Sequence, residues 1–161
     1  MDFTDIQKGF MQKAIDLSIE NVANGGGPFG AVIVLNDKVV GTGVNRVTAL
    51  NDPTAHAEVS AIRAACRALG TFSLADCEIY TSCEPCPMCL SAIYWSGIRK
   101  IYYCNTKKDA AAIDFDDDFI YQELAKPVAA RSVNAIHMEE LHEDALKAFR
   151  AWESNPTKIA Y

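Results

Sequence analysis

The sequence predicts an α/β domain: three layers, α/β/α, around a mixed, mostly parallel central sheet. Three observations predict it. Two β-branched runs flank Asn36-Asp37, a hairpin signal. Downstream, helical and strand-like segments alternate, the order that covers a sheet on both faces. Half of the 161 residues are hydrophobic, enough for one domain with a sizeable core.

The elements follow in order. Residues 3–23 read as an amphipathic helix, with Phe10, Ala14, Leu17 and Val22 on or near one face. Asn24-Gly25-Gly26-Gly27-Pro28 ends it. Strands are expected at 31–35 and 38–44. Asp52-Pro53-Thr54 supplies turn and cap residues for a helix over 55–69 that stops at Gly70. A strand at 77–83, a helix at 86–96 stopped by Gly97, and a strand at 99–104 come next. A helical stretch covers 117–125, and 132–137 reads as a last strand. Residues 141–152 form a helix whose Leu141, Ala145, Leu146, Phe149 and Trp152 make an apolar stripe, a face for core or subunit interface.

The net charge is −6, and the tight basic clusters are Arg99-Lys100 and Lys107-Lys108. The run Asp114-Phe115-Asp116-Asp117-Asp118 would repel a phosphate backbone. A small neutral substrate is expected, and no nucleic acid. No apolar stretch reaches membrane-spanning length, and the first residues lack a signal peptide's pattern. A cytoplasmic protein with no membrane partner is expected. Of the six cysteines, Cys66, Cys77, Cys83 and Cys104 read as reduced and mostly buried.

The chemistry is concentrated in His56-Ala57-Glu58 and Pro85-Cys86-Pro87-Met88-Cys89. His56, Cys86 and Cys89 are zinc-ligand types, and three protein ligands leave the fourth position to water, the layout of a catalytic zinc. Glu58 is then placed to take that water's proton. Two other readings compete. With Cys83, the set makes a closed Cys3His structural site, and Cys86/Cys89 alone make a redox pair. Cys83 ends an apolar strand-like run, and neither alternative uses Glu58. His56 and Glu58 fall in the first turn of one helix, and Cys86 and Cys89 open another on a shared face. Backbone N–H groups at helix starts favour thiolates. The two starts are expected to converge on one zinc.

The pairing of H-x-E with P-C-x-x-C is a known signature of zinc deaminases. The chain resembles the cytidine-deaminase-like superfamily over nearly its whole length. Within it, the chain looks most like the small bacterial guanine deaminases. The residues that carry this are Gly27-Pro28-Phe29-Gly30-Ala31-Val32-Ile33-Val34, Asn51-Asp52-Pro53-Thr54-Ala55-His56-Ala57-Glu58 and Tyr80-Thr81-Ser82-Cys83-Glu84-Pro85-Cys86-Pro87-Met88-Cys89. Ala92-Ile93-Tyr94-Trp95 and Phe115-Asp116-Asp117-Asp118-Phe119-Ile120-Tyr121 add to it.

The resemblance implies one Zn2+ per subunit on His56, Cys86 and Cys89, with Glu58 as proton shuttle. Asn45 would hold a purine base through its amide, and Asp117 would accept from guanine N–H groups. Phe29 and Trp95 would line the pocket, and Tyr161 would help close it. It also implies a homodimer in which the C-terminal segment, about 141–161, is swapped onto the partner subunit. Each role has a plainer alternative. Asn45 satisfies backbone groups at a strand end, Asp117 is a helix N-cap, Phe29 and Trp95 are core, and Tyr161 is a frayed terminus. Related activities on guanosine, cytosine, an aminated triazine or tRNA adenosine share the zinc motifs, as does a non-catalytic zinc module, which has no use for Glu58.

Overall fold

The computed structural model describes residues 2–161. The elements run α1 (Asp5–Ala23), β1 (Gly27–Leu35), β2 (Lys38–Asn45), α2 (Val47–Leu50), α3 (Ala57–Leu69), β3 (Glu78–Cys83), α4 (Pro87–Trp95), β4 (Lys100–Asn105), α5 (Lys107–Ala111), α6 (Asp118–Ala125) and α7 (His142–Ser154). They fall into two compact units, one ending at Phe119 and one spanning Ile120–Tyr161.

In the first unit, α1 starts at Asp5 because Thr4 caps it. The Gln7 amide donates to Thr4 Oγ1 at 3.2 Å, and the Thr4 amide donates to Gln7 Oε1 at 3.0 Å, a capping box. The hairpin forms at Asn36 and Asp37, with φ of 48° and 58°. That left-handed pair matches the twist of the flanking strands.

The sheet order is β2-β1-β3-β4. β1 pairs antiparallel with both β2 and β3, and β3 pairs parallel with β4. The sheet is therefore mixed as expected, but it is not mostly parallel. The hairpin forces β2 antiparallel to β1, and β3 enters beside β1 in the opposite sense. Only the β3–α4–β4 crossover makes a parallel pair.

Helices cover both faces. On one, Phe10, Ala14 and Leu17 of α1 pack on Val32, Val34 and Tyr80. On the other, Ala57, Ala61 and Ala65 of α3 and Ile93 of α4 pack with Ala31, Ile33 and Ile79. Glycines set how closely α3 approaches β2. A Cβ on Gly43 would lie 2.1 Å from the Ala57 carbonyl oxygen, and one on Gly41 2.7 Å from that of Ala61. This contact fixes the height of α3, which carries His56 at its start.

In the second unit the Glu123 carboxylate accepts from the Ser132 amide at 2.6 Å and the Ser132 hydroxyl at 2.7 Å. It also pairs with the Lys126 ammonium. Lys126 first, and then Ser132, hold this carboxyl down to about 2. The expected strand at 132–137 is absent: Val133 and Ile136 lie exposed in irregular chain. An alternating pattern becomes a strand only where a neighbouring edge supplies hydrogen bonds. On α7 the stripe residues Phe149 and Trp152 are exposed.

Candidate active site

The first ligand-bearing helix begins two residues later than the sequence suggested and the second one residue later. His56 is the N-cap of α3 and Cys86 the N-cap of α4, both with extended backbone. A turn sets up the first. Asp52 Oδ1 accepts from the amide and hydroxyl of Thr54 at 2.8 and 2.7 Å. The Arg46 amide donates to the Ala55 carbonyl at 2.9 Å, tying this turn to the end of β2. Pro87 at the first helical position sets up the second, since its missing N–H is not needed there.

The two starts converge. His56 Nδ1 lies 3.6 Å from Cys86 Sγ and 3.5 Å from Cys89 Sγ. All three donor atoms lie within 4.8 Å of one another. Tetrahedral zinc with ordinary Zn–S and Zn–N bonds sets such donors about 3.5 Å apart. Cys83 is not part of the set. Its Sγ faces the Thr106 carbonyl at 3.6 Å, and burial pushes its thiol up to about 11. The closed four-ligand reading fails on that geometry.

The cysteine pair explains why a cation belongs here. A hydrogen bond from Cys89, helped by His56, holds the Cys86 thiol down to about 4. The same contact and full burial push the Cys89 thiol up. Without a cation only one of the two adjacent thiols ionises readily, and a divalent cation between them lets both serve as thiolates. The donor set therefore fits zinc.

Glu58, only 6% exposed, stands beside the ligands. The Thr81 hydroxyl donates to its Oε1 at 3.3 Å. Burial raises its carboxyl above the ordinary range, which suits a group that must both take and give a proton. Thr81 was not singled out from sequence. It is brought to Glu58 by the position of β3 beneath α3.

A cavity of about 560 Å³ opens over this centre and is lined by His56, Glu58 and Cys86 below. Phe29, Asn45, Asp114, Phe115, Asp116 and Asp117 form much of its wall. Phe29 meets Phe115 edge to face, with centroids 4.9 Å apart. Asn45 is buried, and its Oδ1 accepts from the Val47 amide at 3.3 Å. Its side chain thus serves the strand end and faces the cavity as well.

The acidic run resolves into distinct roles. Asp116 Oδ1 accepts from the Asp118 amide at 3.0 Å, closing a turn at the start of α6. Asp117 is left to the cavity. Its Oδ1 is buried with no hydrogen-bond partner among the described residues. Burial, with the nearby Cys86 thiolate, raises this carboxyl. Such an orphaned acceptor is costly unless a ligand donates to it.

Trp95 departs from expectation. It is 72% exposed at the C-terminal end of α4 and is not among the residues lining the cavity. Six residues beyond Cys89 on a helix, it falls well away from the ligand-bearing face. Tyr161 belongs to the second unit and is 82% exposed.

Residues 4–105 match the family described as the cytidine and deoxycytidylate deaminase zinc-binding region. The guanine deaminase of Bacillus subtilis is 49% identical over 94% of this chain and 97% of its own length. The chain belongs to the cytidine and deoxycytidylate deaminase family, alongside that guanine deaminase. The crystal structure of guanine deaminase from Bacillus subtilis superposes with a TM-score of 0.91 at 47% identity, covering 96% of this chain and 98% of that one. A guanine deaminase from Nitrosomonas europaea gives a TM-score of 0.65 at 32% identity, over 73% of this chain and 67% of that one. A tRNA-specific adenosine deaminase of Agrobacterium fabrum is 42% identical over 59% of this chain and 62% of its own. The likeness to the Bacillus subtilis guanine deaminase runs over nearly the whole chain, beyond the zinc-binding region.

Proposed function

We propose that this protein is a zinc-dependent guanine deaminase, hydrolysing guanine to xanthine and ammonia. The single observation that carries the choice of guanine is the buried, unpartnered Asp117 Oδ1 beside a His56/Cys86/Cys89 centre. A carboxylate only accepts hydrogen bonds, and guanine presents N1–H and an exocyclic amine along one edge. A base without a donor there leaves the buried Asp117 Oδ1 unpaired, a mismatch that discriminates strongly. The whole-length likeness to the Bacillus subtilis guanine deaminase supports the same reading.

His56, Cys86 and Cys89 hold the zinc, one per subunit. When bound, zinc supplies Lewis-acid charge and acidifies water to near neutrality. Glu58 takes the proton of the attacking water and delivers it to the ring nitrogen beside C2. As the C2–N bond breaks, Glu58 takes the second proton from the hydroxyl now on C2 and passes it to the departing amine, so that guanine and water become xanthine and ammonia. Asn45 holds the base through its amide, Phe29 packs against the ring, and Asp117 accepts from its N–H edge. The segment 141–161 is swapped onto a partner subunit in a homodimer, with Tyr161 closing that subunit's site. The partner molecule is a small purine base, and the location is cytoplasmic; no helix among the described residues is long and apolar enough to cross a membrane.

The test is ammonia release by zinc-loaded protein from guanine, guanosine, adenine, cytosine, an aminated triazine and a tRNA anticodon stem-loop. Guanine is expected to lead by at least about a hundredfold in kcat/KM, the scale of a buried polar mismatch. Preference for adenine, cytosine or the tRNA stem-loop overturns the role given to Asp117, and preference for guanosine, which carries the same N–H edge, overturns the choice of the free base.

A further inference from the structure

Asn21 lies near the end of α1, outside every motif that carries the site, yet it is only 4% exposed. Its Nδ2 donates twice, to the Gly27 carbonyl at 2.8 Å and to the Asn45 carbonyl at 2.8 Å. Gly27 and Asn45 are partners at the end of the β1–β2 ladder, and the register slips between Gly27 and Gly30. A slipped register leaves carbonyls that a regular ladder would have paired. One primary amide offers two donors and satisfies both.

The same residue holds the loop before β1. The Gly26 amide donates to the Asn21 carbonyl at 2.8 Å. The fit is close: a Cβ on Gly26 would lie 2.3 Å from Asn21 Nδ2, and one on Gly27 3.0 Å from Asn45 Cγ. Gly26, Gly27 and Asn45 all line the cavity.

We infer that Asn21 is a positioning residue for substrate, pinning the ends of β1 and β2 so that the Asn45 amide meets the purine base. This rests on the role proposed for Asn45. Asn21 bonds to β1 and β2, whereas Glu58 and the zinc ligands hang on α3 and α4. Its loss therefore acts on affinity and not on the chemical step.

The test compares Asn21→Leu, which keeps the shape and removes both donors, with Asn21→Ser, which keeps one short donor. Guanine KM and kcat, the Kd of 8-azaguanine, zinc content and Tm are measured for each. For Asn21→Leu, KM and the 8-azaguanine Kd are expected to rise about tenfold, the scale of one net hydrogen bond. Asn21→Ser is expected to fall between it and the parent, with kcat within about twofold and zinc unchanged. A lowered Tm with unchanged KM and Kd makes Asn21 merely structural and overturns the inference. So does a fall in kcat alone. If Asn21→Leu does not fold, Asn21→Ser decides on the same criteria. A parent protein inert on guanine sinks the function itself, an outcome separate from any behaviour of the variants.

Discussion

Two carboxyls a short distance from one metal centre have opposite tasks. Glu58 is buried beside the ligands and bonded to Thr81, the placement that the proposed proton carrier requires. Asp117 keeps one buried oxygen, Oδ1, without a hydrogen-bond partner, while Asp116 accepts from the Asp118 amide. Asp117→Ala should lower guanine kcat/KM by about a hundredfold or more while zinc content stays at one per chain. An unchanged rate would transfer the acceptor role to Asp114 or Asp116, which share the wall. At this scale the convergence of His56, Cys86 and Cys89 was legible because each pair's geometry is local: fixed spacing at two helix starts. The exposure of Trp95 was not legible because its motif says nothing of which way the end of α4 turns. Thr81 was invisible because it reaches Glu58 across 23 residues of sequence.

The helices that carry the site are held by close backbone contact. α3 rests on β2 through Gly41 and Gly43, with Ala57, Ala61 and Ala65 facing them. Gly43→Ala forces a Cβ into the Ala57 carbonyl, at the turn that begins with His56. The expected cost is about 1–3 kcal/mol of stability, with weaker zinc retention because the donor set opens. Thermal melts with and without a chelator measure both. A variant with parental Tm and zinc affinity would mean that α3 can rise without moving His56. Helix and strand existence was readable from caps and apolar patterning. The short α2 and α5 were not, since four or five residues cannot show a period. The sense of the sheet was misjudged because alternation of elements does not say which edge of β1 receives β3.

The whole chain, 17.6 kDa, carries apolar surface beyond what one copy buries. Tyr94 and Trp95 on α4, and Phe149 and Trp152 on α7, are all exposed. A second copy covering such residues fits the proposed swap, and sedimentation should give twice the chain mass. Deleting residues 158–161 should cut guanine turnover at least about tenfold, as loss of a group that excludes water from a site does, with the melting curve unchanged. Full activity in that truncation would make Tyr161 dispensable. Chain pairing was not legible from spacing or composition, which describe one molecule; it entered only through resemblance. The central claim is that a zinc centre with Glu58 as its proton carrier deaminates guanine. The measurement that tests it most directly follows xanthine and ammonia together, in parent protein and in Glu58→Gln, with zinc counted in both. The account predicts equal xanthine and ammonia from the parent, one zinc per chain in each, and a rate in Glu58→Gln lower by at least about a hundredfold. Undiminished turnover in a zinc-replete Glu58→Gln variant would contradict it.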